Sequence, residues 1–142
     1  MISEELITYP TAQLAKQAGF DVLYPAFYHI EAEKPVLYNY VHTSIMTSTF
    51  SDIKEAVKTS SNYYYVAPTQ SLLQRWIREV HNIDTEARPI RYTGDEKASY
   101  YQEYLQGCTI NMKRYAAYEL ALEQALQEAL TIIINRKDAH LS

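Results

Sequence analysis

With 142 residues and an ordinary apolar content, the chain is long enough for one domain with a single hydrophobic core, and we predict one α+β domain over residues 1–142. Thirteen basic against seventeen acidic side chains give a formal charge of −4, which argues against nucleic acid as a partner, because phosphate backbones are bound mainly by clustered lysine and arginine. The single cysteine allows no internal disulfide, residues 1–19 show no secretion signal, and no apolar stretch approaches the roughly 20 residues that span a bilayer, so we expect a cytoplasmic protein without membrane contact.

The first predicted elements are a short helix and two aromatic segments. Pro10 is typical of a helix start and Gly19 of a helix end, so the helix is expected between them. Residues 20–30 are aromatic and interrupted by Pro25, a pattern that favours a connection with an edge strand. Residues 36–42 have the period of two that is typical of a strand. Both faces of that strand carry apolar side chains, so the pattern does not decide which face is buried.

The next segment, residues 43–62, is an insertion that the sequence specifies poorly. It is rich in serine and threonine, and the run Asp52 to Glu55 is typical of a capping box before a short helix that ends at Lys58. Tyr63 to Val66 is a strong β-forming run, which Pro68 terminates. We therefore predict a strand directly before the second helix.

The second helix is expected to begin after Thr69, whose side chain suits a helix N-terminus. Arg75 and Arg78 fall on its polar side. The apolar residues on the other side follow the spacing of one helix face. They are Leu72, Leu73, Trp76, Ile77 and Val80. We therefore predict a buried stripe with Trp76 in the core rather than in a binding site.

The remainder of the chain predicts an antiparallel meander and a closing helix. Strands are expected at 83–92, 99–105 and 108–115, with turns at 93–96 and 106–107. The helix covers 116–134, followed by a short tail at 135–142. A polar row on this helix is expected to face solvent. It consists of Glu119, Glu123, Gln127 and Thr131. The complete prediction is an antiparallel sheet of about four to five strands covered by two main amphipathic helices, plus the short N-terminal helix.

One stretch of the sequence resembles a known motif. Residues 67–83 read APTQSLLQRWIREVHNI after a tyrosine-rich strand. This run resembles an APTQSLLQ(K/R)W(L/I)REVHNI helix of small phage and prophage proteins from gut-type bacteria. The resemblance covers residues 63–89 and, more loosely, 118–130. It implies an accessory protein of a phage or other mobile element in the host cytoplasm, and it implies no catalytic or binding residue.

Motifs for familiar catalytic chemistry are missing from the sequence. Only three glycines are present, and no phosphate-binding loop, dinucleotide fingerprint or nucleophile elbow can be formed from them. The four histidines lack zinc-site spacing, and His29-Ile30-Glu31 lacks the downstream cysteines of a zinc deaminase. We therefore predict no enzymatic activity, no cofactor and no metal site, with Cys108 as a packed or inactive thiol.

Tyrosine is the unusual feature of the composition, with fourteen residues against three phenylalanines and one tryptophan. It is favoured on half-buried sheet faces and at recognition surfaces. We expect most tyrosines to form ordinary cross-strand pairs and at least one exposed cluster to form a binding surface. Strand alternation places Tyr100 and Tyr104 on one face, opposite Tyr101. The candidate surface consists of Tyr63, Tyr65, Tyr100, Tyr101, Tyr104, Arg75, Arg78, Arg88 and Arg91.

Two functions are compatible with this pattern. The favoured one is a non-catalytic accessory protein that binds another protein, or associates with itself, through a tyrosine-rich sheet face. The alternative is a protein that binds or sequesters a small, nucleotide-like ligand, with tyrosine stacking on its base and arginine on its phosphate. A concave pocket that contains both residue types would favour the alternative, and a flat apolar patch would favour the first.

Overall fold

The computed structural model describes residues 4–40, 63–90, 100–106, 108–109 and 113–141, and the structural statements below concern these residues. Their contacts divide the chain into two compact units. Unit 1 comprises Met1–Glu5 and Gln70–Ser142, and unit 2 comprises Leu6–Thr69. The described residues form helices and two antiparallel sheets, so the α+β class is confirmed. The single domain stays a prediction.

Unit 2 consists of one short helix and a three-stranded sheet. Its elements are α1 (Tyr9–Gln17), β1 (Ala26–Glu31), β2 (Lys34–Asn39) and β3 (Tyr64–Val66). Helix α1 has Pro10 in its first turn, and Gly19 follows its end with φ 94°, a conformation that glycine adopts without strain. Both helix signals read from the sequence are confirmed. The predicted insertion at 43–62 lies outside the described residues.

The central strand of this sheet is β1. The strand order is β2-β1-β3, and β1 pairs antiparallel with both neighbours. Pro25 lies just before β1 and contributes only its carbonyl, which accepts a hydrogen bond from the Tyr40 N–H at 2.8 Å. Because Pro25 lies outside the strand, its lack of a backbone N–H removes no hydrogen bond between the strands. The prediction of an edge strand at this point is therefore wrong.

The hairpin between β1 and β2 has a two-residue turn in an unfavourable conformation. Glu31 pairs with Lys34, so Ala32 and Glu33 form the turn, and both have positive φ, 51° and 66°. Such turns match the twist of the flanking strands but strongly favour asparagine and glycine. The hairpin therefore stores backbone strain at its tip.

Unit 1 consists of two helices and a second three-stranded sheet. Its elements are α2 (Gln70–His81), β4 (Thr85–Ile90), β5 (Tyr100–Leu105), β6 (Cys108–Thr109) and α3 (Tyr118–Leu141). The strand order β4-β5-β6 with antiparallel pairing confirms the meander. Helix α3 continues through the region predicted as a tail. The turn predicted at 93–96 lies outside the described residues, as does the side chain of Cys108.

The core of unit 1 is aliphatic and lies between α2, α3 and the sheet. Helix α3 packs on β4 and β5, and α2 packs on α3. Several core side chains are 2 % exposed or less. They include Leu73, Ile77, Ile83, Leu126 and Leu130. Trp76 is 7 % exposed, which confirms its core position, whereas Val80 is 59 % exposed. The predicted stripe thus ends at Ile77, and the assignment of Val80 to it is wrong.

One member of the polar row on α3 is buried. Glu123 is only 5 % exposed, because the side chain of Gln70 at the start of α2 covers it. The Gln70 amide donates to Glu123 Oε1 at 2.8 Å and to the Glu119 carbonyl at 2.9 Å. The expectation that the whole row faces solvent is therefore wrong at Glu123. Within the described residues, no helix combines the length and apolarity needed to cross a membrane.

Candidate functional site

One face of the unit 2 sheet carries a continuous group of aromatic rings. In an antiparallel sheet, paired residues point to the same face. Phe27 pairs with Tyr38 and His29 pairs with Tyr64, so rings from all three strands lie together. We call this group the aromatic surface. It consists of Phe27, His29, Glu31, Tyr38, Tyr40 and Tyr64.

The rings of the aromatic surface form two adjoining stacks. In the first, the centroids of Phe27 and Tyr38 are 5.3 Å apart and those of Tyr38 and Tyr40 are 6.4 Å apart, with interplanar angles of 14° and 15°. In the second, His29 and Tyr64 are stacked at 4.5 Å. Phe27 and Tyr64 join the stacks at 5.9 Å. Each ring of the group therefore packs directly against at least one neighbouring ring.

The exposure of these residues shows which part of the surface can contact a partner. Phe27 is 6 % exposed and forms the floor. The three tyrosines are half-buried, and the side chains of His29 and Glu31 are 29 % and 41 % exposed. A partner could therefore reach the tyrosine rings, the imidazole and the carboxylate without unfolding of the sheet.

Glu31 gives the aromatic surface a negative charge. The Tyr38 hydroxyl donates to Glu31 Oε2 at 2.5 Å, and His29 Nδ1 lies 3.3 Å from the same oxygen. The hydrogen bond from Tyr38, followed by that from His29, lowers the pKa of Glu31. Donation to Glu31 is also the main reason that the pKa of Tyr38 is raised. At neutral pH the site therefore holds a carboxylate and a protonated phenol.

The opposite face of this sheet is occupied by α1. The Tyr65 ring packs edge-on against Tyr9 at 5.4 Å, and the Lys16 ammonium lies 4.7 Å from its centroid. Tyr65 is therefore part of helix packing rather than of an open binding surface. Tyr63, also a member of the predicted candidate surface, is 61 % exposed and lies just before β3.

The predicted tyrosines of unit 1 occupy two faces of its sheet. Tyr100 and Tyr104 share one face, as predicted, and this is the face away from α3; Tyr101 is on the other face, where its ring contacts Tyr118 at 6.0 Å. Over Tyr104 lies the Arg88 guanidinium, with its carbon 4.2 Å from the ring centroid. Arg88 Nε also contacts Glu86 at 2.9 Å.

The predicted arginines are paired with different carboxylates. Arg75 contacts Glu79 at 2.9 Å on α2, and both side chains are largely exposed. Arg78 is exposed on the same helix, and Arg91 lies outside the described residues. Because Arg75 and Arg88 each have their own glutamate, they do not act as one unneutralised phosphate site.

Unit 1 has a shallow acidic cleft of about 210 Å³. Its lining residues are Glu4, Glu5, Gln70, Ser71, Gln74, Tyr118, Glu119 and Leu122. Pockets for drug-sized ligands usually begin at about 300 Å³. The cleft contains a tyrosine but no arginine, so it differs from the pocket that the small-ligand alternative predicts. In the described part of the chain, no three histidine, cysteine or acidic side chains gather as metal ligands would.

Sequence reasoning missed the aromatic surface although the signals for it were present. The period of two over residues 36–42 puts Tyr38 and Tyr40 on one strand face, and His29 and Glu31 have the same spacing of two. The sequence does not show that β1 is the central strand of the sheet. This central position brings these residues beside Tyr64. None of the six residues belongs to the candidate set read from the sequence.

No family model, curated protein or solved structure matches this chain.

Proposed function

We propose that this chain is a non-catalytic accessory protein of a phage or other mobile element, and that it acts by binding another protein through the aromatic surface. The observation that supports this proposal most directly is the half-exposed stack of Tyr38, Tyr40 and Tyr64 over a buried Phe27. The resemblance of residues 67–83 to phage proteins supplies the biological context and no residue role.

The physical properties of the aromatic surface favour a protein partner. Tyrosine rings supply large contact areas at a small entropic cost, and they are enriched among the residues that dominate binding energy. Here the rings are already ordered by one another, so binding immobilises few additional torsions. Val36 of β2 is paired with His29, so it lies on the same face, and with 37 % exposure it extends the apolar area beside the rings.

The shape of the site favours a macromolecule over a small ligand. The rings stand on an open sheet, whereas small molecules are usually held in concave pockets that bury most of their surface. The observation in favour of the small-ligand alternative is Arg88 over Tyr104, which combines the two residue types it requires. That guanidinium is already bound to Glu86.

A matched pair of variants tests the proposal. Native mass spectrometry of the chain purified from its own host should show a complex with a second protein in the wild type. The double variant Tyr38→Ser/Tyr64→Ser should lose it, and Tyr63→Ser should retain it, because Tyr63 is exposed but lies outside the aromatic surface. Circular dichroism checks that each variant is folded.

Three outcomes would contradict binding of another protein at this site. A complex that survives in the folded double variant would place the interface elsewhere. A homo-oligomer that the double variant abolishes would assign the surface to self-association. A small retained mass without any protein partner would support the ligand alternative.

A further inference from the structure

The chain already shows how its tyrosines bind cations. Lysine or arginine lies over the rings of Tyr65, Tyr104 and Tyr115, at 4.7, 4.2 and 5.4 Å from the centroids. Such contacts arise because the face of an aromatic ring carries partial negative charge, and arginine is the more frequent partner. Three tyrosines in the two units thus have a cation of the chain itself.

The most complete of these contacts is on the outer face of the unit 1 sheet. Arg88 stacks on Tyr104 and binds Glu86, and Glu86 is paired with Tyr104 across β4 and β5. A guanidinium suits this arrangement, since it can lie flat on a ring while its N–H groups point at a carboxylate in the same plane. The pair of a tyrosine and a neighbouring glutamate therefore defines an arginine site.

The aromatic surface presents the same pair of groups. Tyr38 lies beside Glu31, and the carboxylate accepts the tyrosine hydroxyl. Within the described residues, no lysine or arginine lies over Phe27, Tyr38 or Tyr64. Lys34, opposite Glu31 in the register, is exposed and makes no described ion pair with it. The two described contacts of Glu31 both use Oε2, and its side chain is 41 % exposed, which leaves Oε1 as the oxygen that can accept from another donor.

We propose that the aromatic surface binds an arginine side chain of the partner protein, with the guanidinium packed against the exposed part of the Tyr38 ring and donating to Glu31. This inference rests on the proposed function and specifies the chemistry of the partner. The negative charge of Glu31 and the chain's formal charge of −4 both favour a basic segment. The planar guanidinium can lie against a ring while one of its N–H groups donates to Oε1, a geometry that the ammonium of lysine lacks.

The test uses a pair of small probes with the full-length protein. Nα-acetyl-arginine amide carries the proposed group, and Nα-acetyl-citrulline amide is nearly the same shape without the charge. In an NMR titration, the arginine probe should shift the ring resonances of Tyr38, Tyr64 and His29, and the citrulline probe should leave them almost unchanged. The arginine shifts should also diminish as salt increases, because the partly exposed pair is screened.

Two single substitutions assign the effect to one carboxylate. Glu31→Gln should weaken binding of the arginine probe about threefold to fivefold, the upper part of the range for loss of an exposed or partly exposed ionic contact. Glu33→Gln removes the same charge two residues away, in the exposed hairpin turn, and should change binding less than about twofold. Both sites are exposed enough for the variants to fold.

The inference can fail without the proposed function failing. Equal shifts with the citrulline probe, absence of shifts with the arginine probe, or equal weakening by Glu31→Gln and Glu33→Gln would each overturn arginine recognition. In those cases the Tyr38→Ser/Tyr64→Ser variant could still lose the protein complex, and the interface would then be apolar rather than cationic.

Discussion

The two units of this molecule cover their sheets in different ways. In unit 1, the helix α3 lays rows of alanine, leucine and isoleucine on one sheet face, and the side chains there are almost fully buried. In unit 2, α1 is only nine residues long, and the other face of the sheet carries the aromatic surface. The first arrangement is typical of a stable core, and the second provides ordered groups that a partner can reach.

Two tyrosine hydroxyl groups, those of Tyr115 and Tyr38, illustrate the same contrast. In unit 1, the Tyr115 hydroxyl donates to the buried Glu103 at 3.0 Å. In the aromatic surface of unit 2, the Tyr38 hydroxyl donates to Glu31, whose side chain is 41 % exposed. A buried acceptor fixes a tyrosine as part of the core, whereas an exposed acceptor leaves it available for recognition. The amino-acid composition alone does not distinguish these two kinds of tyrosine.

The largest effect is expected for the aromatic core residue of unit 1. Trp76→Ala should lower the free energy of unfolding by about 3–5 kcal/mol, because the buried indole is replaced by a cavity. Val80→Ala on the same helix should change it by less than about 0.5 kcal/mol, because that side chain is exposed. Urea denaturation measures both. Similar losses for the two variants would contradict the division of α2 into a buried and an exposed part.

The next effect concerns the buried polar contact of unit 1. Glu123→Ala should cost about 1–3 kcal/mol, because the Gln70 amide loses its charged acceptor in a buried position. Glu128→Ala, at an exposed site on the same helix, should stay within about 0.5 kcal/mol of the wild type. Thermal unfolding at neutral pH compares them. An equally small change for Glu123→Ala would mean that water replaces the hydrogen bond to the Gln70 amide without loss of stability.

A stabilising change is expected in unit 2. Replacing Ala32 by Asn and Glu33 by Gly should raise the free energy of unfolding by about 1 kcal/mol, because both residues have positive φ in the hairpin turn. Glu33→Gln serves as the control, since it removes the charge but leaves a residue other than glycine at positive φ. If the control stabilises the protein as much as the turn exchange, charge repulsion rather than backbone strain is responsible.

The smallest effect should be restricted to mildly acidic pH. Burial, and then the charges of Arg136 and Lys137, lower the pKa of His81 below the usual 6.5. The folded state therefore disfavours the imidazolium, so the stability is complete above pH 6.5 and declines as the pH falls from there through the folded-state pKa.

Unfolding free energies measured between pH 7 and pH 5 test this prediction. The decline should be smaller in His81→Gln than in the wild type. His29→Gln controls for the loss of an imidazole elsewhere in the chain, and it should retain the decline. If the unfolding free energy of His81→Gln falls with pH as steeply as that of the wild type, groups other than His81 cause the acid sensitivity.

Local signals account for the part of the fold that the sequence predicted. The helix ends at Pro10 and Gly19 and the period of the apolar residues on α2 as far as Ile77 are properties of neighbouring residues, and the structure confirms them. The errors come from long-range contacts. Glu123 is buried by Gln70, which lies 53 residues earlier in the chain. Periodicity on a single helix contains no information about such a pair.

The candidate site was harder to predict for the same reason. Strand alternation correctly separated Tyr100 and Tyr104 from Tyr101. It could not show that α1 packs on Tyr65, or that β1 is the central strand between Tyr38 and Tyr64. Pro25 indicated an edge strand. That interpretation did not predict that residues from three strands come together in the aromatic surface.

Trp76 is the single tryptophan of the chain, and its ring contacts that of His81 at 4.8 Å within unit 1. Its fluorescence emission therefore reports solvent entry into unit 1 alone, while hydrogen exchange of the β1 and β2 amides reports unit 2. Coincident denaturation midpoints would mean that the two units unfold cooperatively. Separate midpoints would mean that the aromatic surface opens and reforms while the aliphatic core stays folded, so that a bound partner would raise the midpoint of unit 2 alone.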